Sequence, residues 1–149
     1  MTAGASVFEK SQVKTIKVKR DHAVISTEKA IIKAQKVVLA CNGYLGNLFP
    51  PIASNIMPIN NFMVATEPLD DATANRINPL NASLSDSLFV INYWKLSEDR
   101  RLIFGGGETY SDKFPESITD FVRPKLLAIY PELSNVRLDY GWGGTLAIT

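Results

Sequence analysis

Polar and apolar positions alternate, imperfectly, through the first third of the chain. Val13, Ile16 and Val18 stand among lysines, Asp21-His22 interrupts, Ala23 to Thr27 follows as a β-rich run, and Glu28-Lys29 turns before a brief return at Ile31-Ile32. This near-twofold period predicts three short antiparallel strands. The pattern then changes. Val37-Val38-Leu39-Ala40 is an unbroken apolar run, as expected of a strand buried on both faces of a parallel or mixed sheet. It ends in Cys41-Asn42-Gly43, where glycine lets the backbone turn sharply or approach a ligand closely.

Pro50-Pro51 and Pro58 argue against regular helix in the next stretch. Phe62 to Thr66 reads as strand and is closed by Glu67-Pro68; Asp70 or Asp71 then caps a short helix reaching about Arg76. Ser87 to Lys95, rich in β-branched and aromatic residues, is the strongest strand in the pattern. Ser97-Glu98-Asp99-Arg100 turns the chain, and Arg101 to Gly105 returns as its hairpin partner. Ile118, Phe121, Val122, Leu126 and Ile129 recur at helical spacing, with Ser117 or Thr119 as N-cap and Pro131 as the stop. Pro124 either starts that helix or kinks it. Val136 to Tyr140 reads as a last strand leading into a glycine-rich turn at Gly141-Trp142-Gly143-Gly144. The fold class is therefore α+β, a mixed and largely antiparallel sheet with few helices.

Composition narrows the function classes. The 149 residues suffice for one domain with a real core, and 46% hydrophobic with 21% charged residues is the balance of an ordered globular protein. Sixteen basic against fifteen acidic residues leave a net charge of +1, which offers no electrostatic footprint for nucleic acid or an anionic membrane surface. No apolar run approaches the ~20 residues of a membrane span, and the N-terminus lacks the pattern of a signal peptide. Cys41 is the only cysteine, so no disulfide framework exists and a cytoplasmic setting is expected. His22 is the only histidine, which excludes a multi-histidine metal site; no metal is expected.

The candidate chemistry is sparse. Gly105-Gly106-Gly107-Glu108 lacks the helix start that a phosphate loop needs, and reads more simply as a strand end packed tightly against a neighbour. Cys41 has no base placed beside it, so it reads as a small residue ending a buried strand. Glu98, Asp99, Glu116 and Asp120 fall where solvation or capping accounts for them. Tyr93 and Arg101 lie on the two arms of one predicted hairpin and are residue types that bind carboxylates and amines. No assembled catalytic group is visible, a pattern that cofactor-driven redox chemistry tolerates, because the cofactor carries the reaction.

Five segments in order carry a resemblance: GASVFEKSQVKTIKVKR, KAQKVVLACNGYLGNL, IMPINNFMVATEPL, NYWKLSEDRRLIFGGGETY and IYPELSNVRLDYGWGGTLAIT. Together they resemble the middle of the FAD-dependent oxidoreductases of the D-amino-acid oxidase family, nearest in ATEPL, DRRLIFGGGE and WGGTLAIT to its gamma-glutamylputrescine oxidoreductase branch. The resemblance implies that residues 1–48 are part of an FAD domain, 49–140 a substrate domain, and 141–149 the start of a return to the FAD domain. It implies cofactor contacts at Val13, at Ala40, Cys41, Asn42 and Gly43, and at Trp142, Gly143 and Gly144, with Tyr93 facing a small-molecule amine; Arg101, on the other arm of the hairpin, is the second substrate-binding candidate by residue type alone.

The activity implied is oxidation of a primary or secondary amine, an amino acid or a gamma-glutamyl polyamine, by hydride transfer to flavin, with oxygen taking the electrons. The family's N-terminal GxGxxG unit has no counterpart in these residues, nor has the segment that follows the WGG turn. The chain is accordingly expected to be an internal piece of a longer flavoenzyme, inactive alone, holding FAD weakly or not at all and self-associating through surfaces left by missing lobes. The alternative expectation is a stand-alone, non-catalytic binding module derived from such a domain.

Overall fold

The computed structural model describes residues 4–111 and 113–149. The chain divides into two compact units, one reaching Met57 and the other spanning Pro58–Ile148.

The first unit is built on the antiparallel meander β1 (Val13–Val18), β2 (Ala23–Thr27) and β3 (Ile31–Ala34). Ile16, Ile25 and Ile32 stand opposite one another across the three strands. Ala23 and Ile25 of the middle strand are buried, as a strand with neighbours on both edges requires. The Thr27 hydroxyl accepts from the backbone N–H groups of Lys29 and Ala30, closing the second turn. The three antiparallel strands expected from the sequence are all present.

Val37 to Ala40 departs from expectation. The run is not a strand, and Val38 is 87% exposed. A strand buried on two faces needs neighbours to pair its backbone, and none of the described strands lies beside this one. A single 3-10 turn, Asn42–Tyr44, follows Cys41. Pro50 and Pro51 begin a four-residue helical turn, α1 (Pro50–Ala53), against the expectation of no helix there. They occupy the first positions, where a missing N–H is harmless.

The second unit is a five-stranded sheet in the order β5-β6-β7-β4-β8. Its strands are β4 (Met57–Thr66), β5 (Leu84–Ser85), β6 (Tyr93–Leu96), β7 (Leu102–Thr109) and β8 (Leu138–Ile148). Helix α2 (Asp71–Ile77) is capped by the Asp70 carboxylate, which accepts from the N–H of Thr73. Helix α3 (Ile118–Ile129) is capped by Ser117, starts ahead of Pro124 and carries that proline inside.

One face of the sheet makes the core with α3. Val64, Phe104 and Trp94 stand in one row across β4, β7 and β6, and Phe62, Leu102, Val122, Leu126 and Leu133 join them. The Phe62 ring meets Phe121 edge-on at 5.4 Å. Trp94 stacks on Phe104 and donates its indole N–H to the Tyr130 hydroxyl at 2.9 Å; that hydroxyl donates in turn to the Ile77 carbonyl. Sheet, α3 and α2 are thus joined by a satisfied polar chain.

Two further expectations are corrected. Of Ser87 to Lys95 only the end, from Tyr93, is strand, and Phe89 is 95% exposed. The Asp86 carboxylate accepts from the N–H groups of Leu88 and Asn92 and from the Asn92 amide, folding residues 86–92 into a loop in place of a ladder. Gly141 to Gly144 is not a turn but the middle of β8. Its glycines serve close packing: a Cβ on Gly143 would stand 2.6 Å from the Phe62 ring.

Candidate functional site

The sheet face opposite the core holds a cavity of about 240 Å³, lined by Asn61, Met63, Tyr93, Trp142, Gly143, Gly144 and Leu146. Strand alternation puts these residues together. Met63, Gly105 and Tyr93 stand in register across β4, β7 and β6, one row beyond Val64, Phe104 and Trp94 and so on the other face. Trp142, Gly144 and Leu146 share one face of β8 by the same period.

Gly105 is what lets the row close. Its missing side chain is replaced by the Tyr93 ring, which a Cβ there would overlap. Lying across the strand, Tyr93 reaches β4 and donates its hydroxyl to Asn61 Oδ1 at 2.9 Å. Asn61 Nδ2 donates to the Gly107 carbonyl at 3.1 Å, in a buried bond. Asn60 faces other partners: its Nδ2 donates to the Ser111 carbonyl at 2.8 Å, and its Oδ1 accepts from Thr145 of β8 at 2.7 Å. A bulge in the β4–β7 pairing between Asn61 and Met63 accompanies this pair of buried amides.

Burial pushes the Tyr93 phenol above its ordinary value, so it is protonated at neutral pH. It is the only ionisable side chain among the lining residues, none of which is a carboxylate, histidine or cation. The cavity can bind and orient a small ligand; it has no general acid or base of its own.

Arg101 lies elsewhere. Tyr93 pairs with Gly105, four residues along β7's direction from Arg101, or about 13 Å at strand rise. The Arg101 guanidinium pairs with Asp99 at 2.7 Å and Asp139 at 2.6 Å, donates to the Thr66 carbonyl and lies over the Tyr140 ring. Hydrogen bonds from Arg137 and Arg101 hold the Asp139 carboxyl below the usual carboxylate range. This network ties together the ends of β4, β7 and β8.

In the first unit, a groove of about 610 Å³ is lined by Gln12, Val13, Lys14, Cys41, Tyr44 and residues 45–48. It brings Val13 and Cys41 together. Asn42, with a left-handed φ of 50°, and Gly43 form the 3-10 turn after Cys41, and Ala40 leads into it. The groove lies within the roughly 300–1,000 Å³ typical of small-molecule sites and suits an adenosine-sized group. A diphosphate asks for glycine-rich backbone at a helix N-terminus, and no GxGxxG occurs in the sequence. By size, the groove would take the nucleoside end of FAD.

Asn61, Met63 and Tyr44 were not singled out by sequence. For Asn61 a signal existed: two adjacent amides, Asn60-Asn61, interrupt an otherwise apolar strand, and buried amides must find partners.

Comparison with known proteins adds the family. The description DAO, FAD dependent oxidoreductase, matches residues 1–149. Among curated proteins the chain is 40% identical over 147 residues to "Probable oxidoreductase OrdL" of Rhizobium meliloti, covering 99% of this chain and 34% of that protein. It is 35% identical over 147 residues to gamma-glutamylputrescine oxidoreductase of Escherichia coli, covering 98% of this chain and again 34% of that protein. The chain thus spans about a third of the length of these relatives. Among solved structures it superposes on L-proline dehydrogenase from P. horikoshii with a TM-score of 0.71 at 26% identity, over 98% of this chain and 40% of that one. On glycine oxidase from Geobacillus kaustophilus the TM-score is 0.75 at 16% identity, over 99% of this chain and 39% of that one, a likeness of fold.

Proposed function

Because the chain belongs to the DAO family of FAD-dependent oxidoreductases, we propose that it supplies the substrate-binding roof and part of the cofactor groove of an amine-oxidising flavoenzyme. The observation that carries this reading is the cavity of Tyr93, Asn61, Met63 and Trp142, largely apolar and without a charged side chain. FAD, held at its nucleoside end by residues of the first unit, would supply the two-electron acceptor for oxidation of the amine at the carbon beside its nitrogen.

The chain's own residues bind and orient. Tyr93, itself held by Asn61, takes the amine nitrogen, while Met63, Trp142 and Leu146 pack on the adjacent carbon and keep water from it. Val13, through its backbone, and Cys41-Asn42-Gly43 hold the nucleoside end of FAD, with Ala40 behind them. Trp142, Gly143 and Gly144 are assigned to cofactor contact by the family resemblance. In this scheme residues 1–48 belong to the FAD domain, 49–140 to the substrate domain and 141–149 to the passage between them. Arg101 braces the sheet through Asp139 and leaves substrate contact to Tyr93.

The likeness to gamma-glutamylputrescine oxidoreductase supports a gamma-glutamylated polyamine as substrate. The test is turnover by the whole flavoenzyme carrying this segment, with gamma-glutamylputrescine, putrescine, proline and glycine compared. Formation of a carbonyl product from the polyamine derivative at the highest kcat/KM supports the reading; a preference for proline or glycine refutes the polyamine, and no product from any of the four refutes amine oxidation.

A further inference from the structure

The two ends of the Asn61 amide are assigned by different partners. Its Nδ2 donates to the Gly107 carbonyl at 3.1 Å, and a carbonyl can only accept. The end turned toward Tyr93 is therefore Oδ1, which also can only accept. A phenol has one proton, and that of Tyr93 goes to Asn61 at 2.9 Å. Toward the cavity the hydroxyl retains lone pairs only.

The arrangement is held from both sides. The Tyr93 ring fills the space over Gly105, so it cannot settle closer to β7. Gly107 has a left-handed φ of 84°, and a Cβ there would stand 2.7 Å from the Phe121 ring, so the backbone that presents the accepting carbonyl is itself packed in place. No cationic side chain lines the cavity to receive an anion.

Resting on the reading of this cavity as the amine site, we propose that Asn61 is a positioning residue that makes the Tyr93 hydroxyl an acceptor only. At the Tyr93 hydroxyl the cavity then selects ligand groups that donate, an ammonium or amide N–H, over groups that only accept. A carboxylate oxygen in the same place would face a lone pair with no proton between them, while an N–H finds a complete hydrogen bond.

The test is isothermal titration calorimetry of the whole flavoenzyme with butylamine, a donor-only ligand as the ammonium ion, and butyrate, an acceptor-only one. Comparison between variants cancels the enzyme's general field, which acts on both proteins alike. Tyr93→Phe is expected to weaken butylamine by about tenfold and to leave butyrate within about twofold. Asn61→Ala frees the phenol proton for the cavity, so the butylamine-to-butyrate ratio falls by about fivefold or more, whereas loss of mere support would weaken both ligands equally.

Should Asn61→Ala not fold, Tyr93→Phe decides alone. Butyrate losing as much affinity as butylamine on Tyr93→Phe overturns the assigned polarity and leaves the amine reading standing. An unchanged ratio in a folded Asn61→Ala overturns the role of Asn61. Failure of both ligands to bind, with amine turnover unaffected by Tyr93→Phe, overturns the proposal together with the site it rests on.

Discussion

A methyl group on Gly105 would lie within the Tyr93 ring, and one on Gly143 would press on Phe62, which is wholly buried on the other face of the sheet. The two glycines therefore fail differently when filled. Gly105→Ala is expected to lift Tyr93 away from Asn61 and weaken butylamine binding by about tenfold, the worth of one charge-assisted hydrogen bond. Gly143→Ala overpacks the core by one methyl and is expected to cost about 1–3 kcal/mol in urea unfolding. Equal effects of the two substitutions on ligand affinity would contradict the assignment of opposite faces.

At the scale of elements, the caps and the ion network make checkable claims. Ser117 accepts from the N–H of Asp120 at the start of α3, so Ser117→Ala should lower the unfolding free energy by about 1 kcal/mol. Asp139 titrates below the ordinary carboxylate value because Arg137 and Arg101 bond to it. A depressed folded value means its stabilisation is complete above the unfolded value, about 3.9, and is lost as pH falls through the folded one. The difference in urea midpoint between wild type and Asp139→Asn should therefore be full at pH 7 and shrink below about pH 4. A gap that grows on acidification would reverse the sign. The elements also show what is legible in sequence. The β1–β3 meander and the two helix caps are local, set by neighbours within a few residues; the sequence shows the meander and narrows each cap to two candidates, Asp70 or Asp71 and Ser117 or Thr119. Val37 to Ala40 misleads because a buried-strand pattern presupposes strands to pair with. Ser87 to Lys95 misleads because one carboxylate, Asp86, outcompetes the ladder for backbone N–H groups. The glycines of β8 carry one signal for two causes, a turn or a close approach. Tyr93 is visible as a type of residue, but its partner Asn61 is 32 residues away and is joined to it only by the register of three strands.

For the whole molecule, strand β8 is an edge of its sheet and exposes Tyr140, Trp142, Leu146 and Ile148, all at alternate positions on one face. Such a stripe on the isolated chain is expected to drive self-association, read as a concentration-dependent sedimentation coefficient; a monomer at all concentrations would count against it. The same isolated chain holds a nucleoside-sized groove without a diphosphate loop, so FAD should bind it weakly or not at all. Stoichiometric flavin after purification would refute that. The central claim is that the cavity on the open sheet face receives the amine. It is tested most directly by anaerobic stopped-flow reduction of the flavin in the whole enzyme, wild type against Tyr93→Phe, over a range of gamma-glutamylputrescine concentrations. The account predicts loss of the oxidised flavin absorbance on mixing, with the apparent Kd raised about tenfold by Tyr93→Phe. Flavin that stays oxidised, or reduction with the same apparent Kd in both proteins, would contradict it.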